Sequence, residues 1–179
     1  MTFWSQDYHM TGSFASKVKL LAKSDLFMVG DNKYYFFARY MDVIKCGAIV
    51  GLINYNDPEK YAEGMNKLKL EEQMDDSADI PVKTILLEQK TLKLLFRIVI
   101  LNEQVRGLSL EDKVNHAFRN EAVKTIQDEN EEFFNNIVAL GVDYLYNIIK
   151  DARDAEACLD IMEELLDGNW EHDCEITIH

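Results

Sequence analysis

Few residues in this chain have both the type and the spacing to do chemistry together. Asp112 and His116 stand four apart and would share one helix face, a geometry that suits two ligands of a transition metal. His172, Cys174 and His179 cluster in the last residues, where imidazole and thiolate groups could hold the same kind of ion. Asp112 also follows Ser109 by three residues, where a helix N-terminus claims it, and the tail has no ordered ligand spacing. No metal is therefore expected at either place.

Adjacent acids such as Glu131/Glu132 and Glu163/Glu164 are common, but acid–base catalysis needs burial that drives two pKa values apart, and these pairs read as solvated. The Glu-x-x-His pattern of di-metal helical bundles does not occur. Gly47, Gly51 and Gly64 fall in neither phosphate-loop pattern. No serine elbow is present, and Cys46, Cys158 and Cys174 are odd in number, far apart and outside any C-x-x-C spacing. They read as reduced thiols in a cytoplasmic protein. The expectation is a chain that is not an enzyme and takes no cofactor.

Charge is unevenly placed. Residues 1 to 120 hold 16 Asp/Glu and 16 Lys/Arg, so the whole net charge of −13 lies beyond them, where 16 acids face only Lys124, Lys150 and Arg153. Such a block attracts a basic partner and repels nucleic acid at long range, or simply keeps the protein soluble, and a solvated acidic face is the default reading. Glu156, Asp160, Glu163 and Asp167, at i, i+4, i+7 and i+11, form the candidate partner-binding face. The first 70 residues carry a mild basic excess that leaves direct DNA contact as a minor option. The opening MTFWSQDYHMTGSF has no basic segment followed by an apolar one, and no apolar run approaches the ~20 residues of a membrane span.

The elements that must position these residues are helices. Ser13 caps a helix to about Lys23 with Phe14, Val18 and Leu21 on one face. Asp31 and Asn32 offer caps for a long helix from Lys33, with Tyr34, Phe37, Met41 and Ile44 in a stripe; Gly47 and Gly51 mark a place where another backbone comes close. Asp57-Pro58-Glu59 starts a helix to about Leu70, and Glu71 to Asp79 is an acidic loop.

Ile80 to Leu87 reads as the start of a helix, with a short strand as the alternative. Thr91 to Val105 is apolar on most sides and is the expected bundle centre, ending at Gly107. Ser109 begins a helix to about Gln127 with Val114, Ala117, Phe118 and Ala122 inward. Asp128 to Glu132 begins another through Lys150, and Asp154 a last one to Gly168 with Cys158, Ile161, Met162 and Leu165 inward. The chain reads as all-α, a single compact multi-helix bundle with at most one short strand. Its parts are a helical portion over 1–70, the acidic loop 71–79, a bundle over 80–168 packed with the first part, and a tail over 169–179.

Two segments, KYYFFARYMDVIKCGAIVGL (33–52) and FFNNIVALGVDYLYNII (133–149), resemble small accessory proteins encoded beside bacterial DNA phosphorothioation (Dnd-type) and related anti-phage defence clusters. The likeness spans about a third of the chain and rests on apolar packing patterns. It departs from the pattern after the early glycines, where Asn54 to Pro58 replaces an expected basic residue and proline. The resemblance implies an accessory subunit whose enzymatic partners are other components, and it carries over no functional residue.

The leading expectation is a non-enzymatic adaptor that binds a protein with a basic surface, in the cytoplasm, with self-association open. The second is an acidic DNA-mimic inhibitor, and the third a helical enzyme with a non-standard site. Placement of charge discriminates the first two, since mimicry spreads carboxylates along a surface whereas an adaptor presents an apolar patch with a charged rim.

Overall fold

The computed structural model describes residues 7–23, 27–29, 32–34, 36–72, 79–83, 86–119, 124–150 and 155–166. Among these residues seven helices pack into an all-α bundle: α1 (Gly12–Lys23), α2 (Tyr40–Asn54), α3 (Pro58–Glu72), α4 (Leu86–Asn102), α5 (Leu110–Phe118), α6 (Lys124–Ile149) and α7 (Ala155–Leu166). Two short antiparallel ribbons accompany it. β1 (Asp7–Thr11) pairs with β4 (Asp79–Lys83), with Met10 opposite Ile80, and β2 (Phe27–Val29) pairs with β3 (Asn32–Tyr34). Residues 80–83, expected to begin a helix, are thus strand; the β-branched Ile80 and Val82 suit it, and Pro81 is tolerated because a two-stranded ribbon is all edge.

The axis of the bundle is the pair α2 and α6, joined through glycines. A methyl placed on Gly141 would stand 1.9 Å from the Gly47 carbonyl oxygen and 2.6 Å from the Gly51 nitrogen; one on Gly51 would stand 2.0 Å from the Ile137 oxygen. The helices therefore meet backbone to backbone, as the CGAIVGL spacing predicts. Phe134, Ile137, Val138, Leu145 and Ile149 of α6 fill the core with Val43, Ile44 and Ala48 of α2 and Val18 and Leu21 of α1.

Three boundaries differ from expectation. α2 begins at Tyr40 and not at Lys33, because 32–34 pair as strand and the aromatic run that follows is used for packing: Phe36 and Phe37 meet edge to face at 4.9 Å, and Phe37 N–H donates to Leu21 O at 3.2 Å. α5 stops at Phe118, nine residues early, and α6 starts at Lys124, so Asp128 to Glu132 lie inside a helix and not at its beginning. α4 is also not the centre. It buries Leu92, Leu95, Phe96 and Val99 on one side, while Leu94 and Ile98 are exposed.

Local chemistry sets the other boundaries. Asp57 Oδ1 accepts from the Glu59 and Lys60 amides at 3.0 and 3.1 Å and starts α3 at Pro58. Helix α3 runs on through Glu72 and Asp79 opens β4, so both ends of the expected acidic loop 71–79 are regular structure, and 73–78 lie outside the described residues. Ser109 Oγ accepts from Asp112 N–H at 3.1 Å and donates to its carboxylate at 2.6 Å, capping α5. Asn56 ties the α2–α3 turn to the end of α4, donating to Asn102 O at 3.0 Å and accepting from Gln104 N–H at 2.7 Å.

Candidate interaction surface

Asp112 and His116, nominated for metal chemistry, are each engaged by a different partner. Asp112 is spent on the Ser109 cap, whereas His116 Nδ1 lies 3.1 Å from Asn130 Oδ1 on α6. Among the described residues no group of three or more His, Cys, Asp or Glu could hold a metal ion. His172, Cys174 and His179 lie outside the described residues, as do Ala122, Gly168 and the side chains of Cys158, Met162 and Leu165. Cys46 is half-buried, and that burial pushes its thiol above the ordinary range, away from the thiolate a nucleophile needs. Glu131 and Glu132, expected to be solvated together, point apart: Glu131 is buried and accepts from Gln127 Nε2 at 2.8 Å, while Glu132 is exposed.

Buried charge is used for joining helices. Asp143 on α6 is almost fully buried between Lys17 Nζ of α1 at 2.5 Å and Lys67 Nζ of α3 at 3.1 Å. Arg39 grips Asp42 through two nitrogens at 2.7 and 2.9 Å and reaches Glu88 of α4 at 3.0 Å. The Arg39 hydrogen bonds hold the Asp42 carboxyl below the ordinary Asp range. Glu103, fully buried after α4, accepts from Arg106 N–H at 2.9 Å, and its main-chain oxygen accepts from Lys113 Nζ. The Arg106 guanidinium lies 4.4 Å from the Phe133 ring and donates to Asn130 Oδ1 at 2.7 Å. Lys17, Arg39, Lys45 and Lys67, part of the early basic excess, thus already face carboxylates.

Two shallow hollows of about 350 and 320 Å³ flank Tyr61 between α3 and α6 and share Glu132 and Asn136. Tyr61 accepts from Asn136 Nδ2 at 3.1 Å, and burial raises its phenol above the ordinary range. That partner is an amide, which neither takes nor gives up a proton near neutral pH, so this contact supplies shape and polarity and no acid–base pair.

The surface of α4 and α5 departs most from an ordinary solvated face. Leu87, Leu94 and Ile98 line one stripe of α4, and Leu110, Val114 and Phe118, at i, i+4 and i+8, line one stripe of α5. Leu94 and Phe118 keep 55% and 56% of their area in water, and Leu110 75%. The two helices pack together, and Arg97, between Leu94 and Ile98 in sequence, lays its guanidinium 4.9 Å from the Phe118 ring and joins the stripes. Val114 and Phe118, expected to point inward, are turned outward because α5 is a single short helix whose only buried residue is Ala117. Residue type gave no warning of this: 110, 114 and 118 form an apolar stripe beside Ala117, the same pattern a core-facing stripe would show.

Covering six such half-exposed side chains is worth roughly 6 kcal/mol at about 1 kcal/mol each. That only matches the low end of the ~4–15 kcal/mol that association costs, so a partner must add complementary charge. Charge is available on both sides of the question. Lys90 and Lys93 are exposed on α4, and of the nominated acidic face Glu156, Asp160 and Glu163 are exposed on α7, while Asp167 lies outside the described residues.

No helix among the described residues is long and apolar enough to cross a membrane. Compared with known protein families, curated proteins and solved structures, the chain matches none.

Proposed function

We propose that this chain is a non-enzymatic accessory or adaptor subunit that acts by binding another protein. The observation that carries the reading is the exposed apolar surface shared by α4 and α5, with Leu94, Ile98, Val114 and Phe118 at its middle and lysines at its edge. An apolar patch with a charged rim is the form of a protein interface. The acidic face of α7 supplies a second surface, suited to a partner region rich in lysine and arginine. DNA mimicry is less well supported, because the most distinctive exposed surface among the described residues is apolar and not a row of carboxylates. The setting we propose, a bacterial anti-phage complex that handles DNA, rests on the resemblance of residues 33–52 and 133–149 alone.

The test compares wild type with a Leu94→Ser/Val114→Ser variant, both purified from the native host with their bound proteins identified by mass spectrometry. A specific partner recovered with wild type and lost with the variant, at unchanged helix content, supports the reading. Equal recovery of every partner overturns the α4–α5 surface as the binding site.

A further inference from the structure

We infer that the α4–α5 face receives a second copy of this chain, which lays its α7 across it; this rests on the adaptor reading above and names the first partner. On the α4 side the two surfaces are complementary in kind, while α5 brings the exposed Glu111 and Asp112 beside Leu110. On α4, Lys90, Lys93 and Arg97 stand at i−4, i−1 and i+3 from Leu94, so one flank of the apolar stripe is basic, and the acid of this helix, Glu88, is buried against Arg39. On α7, Leu159 is 59% exposed, and the exposed Glu156, Asp160 and Glu163 stand at i−3, i+1 and i+4 around it, with no Lys or Arg anywhere in the helix. An apolar centre with a basic flank meets an apolar centre ringed by acids.

Unlike charges at such a rim steer the encounter and reject wrong registers, while the apolar centres set the residence time. Contacts between two different patches propagate into open arrays unless they close. Here two copies close a pair when each α7 sits on the other's α4–α5 face, so that the same contact is made twice.

The experiment is sedimentation velocity on the full chain. Wild type forms dimers, whereas Leu94→Ser/Val114→Ser and, separately, Glu156→Lys/Asp160→Lys/Glu163→Lys each weaken dimerisation by at least about tenfold. Mixing these two variants restores association in part, because the mixed pair keeps one intact contact: the α7 of the first on the face of the second. Lys90→Glu/Lys93→Glu provides an independent arm that leaves the apolar residues alone. It is monomeric by itself and dimerises when mixed with the α7 variant, whose charges now match it. Salt is a poor readout, since it also screens the mutual repulsion of two chains of net charge −13. Wild type that stays monomeric to on the order of 100 μM, variants that dimerise like wild type, or mixtures that stay monomeric each overturn the inference. Monomeric wild type whose host partner is still lost in the Leu94→Ser/Val114→Ser variant would end the self-association and leave the adaptor reading standing.

Discussion

Gly141 of α6 lies directly against the main chain of Gly47 in α2, so close that a Cβ on Gly141 would sit 1.9 Å from the Gly47 carbonyl oxygen. The obstacle is backbone, which cannot turn aside as a side chain can. Gly141→Ala must therefore push the two helices apart and should destabilise the fold by about 3 kcal/mol or more, at the upper end of overpacking costs. Gly107→Ala is the control: an added Cβ there would meet nothing beyond its chain neighbours within 4 Å, but its φ of +65° suits glycine, so the loss should stop at about 1–2 kcal/mol. Urea unfolding of the three proteins checks the order.

Asp143→Asn should cost about 3–5 kcal/mol, because Lys17 is left buried without its counter-charge. Lys17→Met/Asp143→Leu should recover much of that loss, since an apolar pair carries no desolvation penalty and the partly exposed Lys67 can turn to water. Strong non-additivity between the single and double variants in denaturant unfolding is the expected result. Additive losses would mean that the ion pair contributes nothing specific.

The depressed Asp42 pKa predicts a pH dependence with a definite sign. A carboxyl whose folded pKa lies below its unfolded value of about 3.9 stabilises the fold above that value, and the contribution disappears as pH falls through the folded pKa. Because Asp42 is part-exposed, the effect should stay below about 1 kcal/mol. Carbon NMR titration should place the Asp42 carboxyl below the ordinary range, and Arg39→Gln should return it upward, since the Arg39 hydrogen bonds are the principal cause.

Cys46 should react slowly. In a Cys158→Ser/Cys174→Ser background, native alkylation at neutral pH should run at least about tenfold slower than after unfolding, because burial raises the thiol pKa and restricts access. Equal rates in the two states would show the thiol to be free in solution.

Boundaries written by local chemistry were legible in the sequence. Asp57 before Pro58, Ser109 three residues before Asp112, and the paired Gly47 and Gly51 each act within a few residues or leave a mark in spacing. What depends on distant partners was not. Nothing near Lys17 announces an acid 126 residues away, and the aromatic run before Tyr40 fits helix periodicity as well as the strand and packing segment it forms. The candidate surface was misread for the same reason: Leu94, Ile98, Val114 and Phe118 look like core by type, and only the placement of the helices leaves them exposed.

The glycine contact between α2 and α6 also orders events in time. Gly47 and Gly141 are 94 positions apart, so during synthesis α2 emerges with its apolar side complete and its mate not yet made. Closing so long a loop gives no return until the far helix arrives, which makes this a slow, late step compared with α4–α5, whose helices are near neighbours in the chain. A nascent chain that stops short of α6 exposes Val43, Ile44, Ala48 and the bare backbone at Gly47 and Gly51. For the cell that must make it, the most hazardous surface of this protein is one the finished molecule never shows.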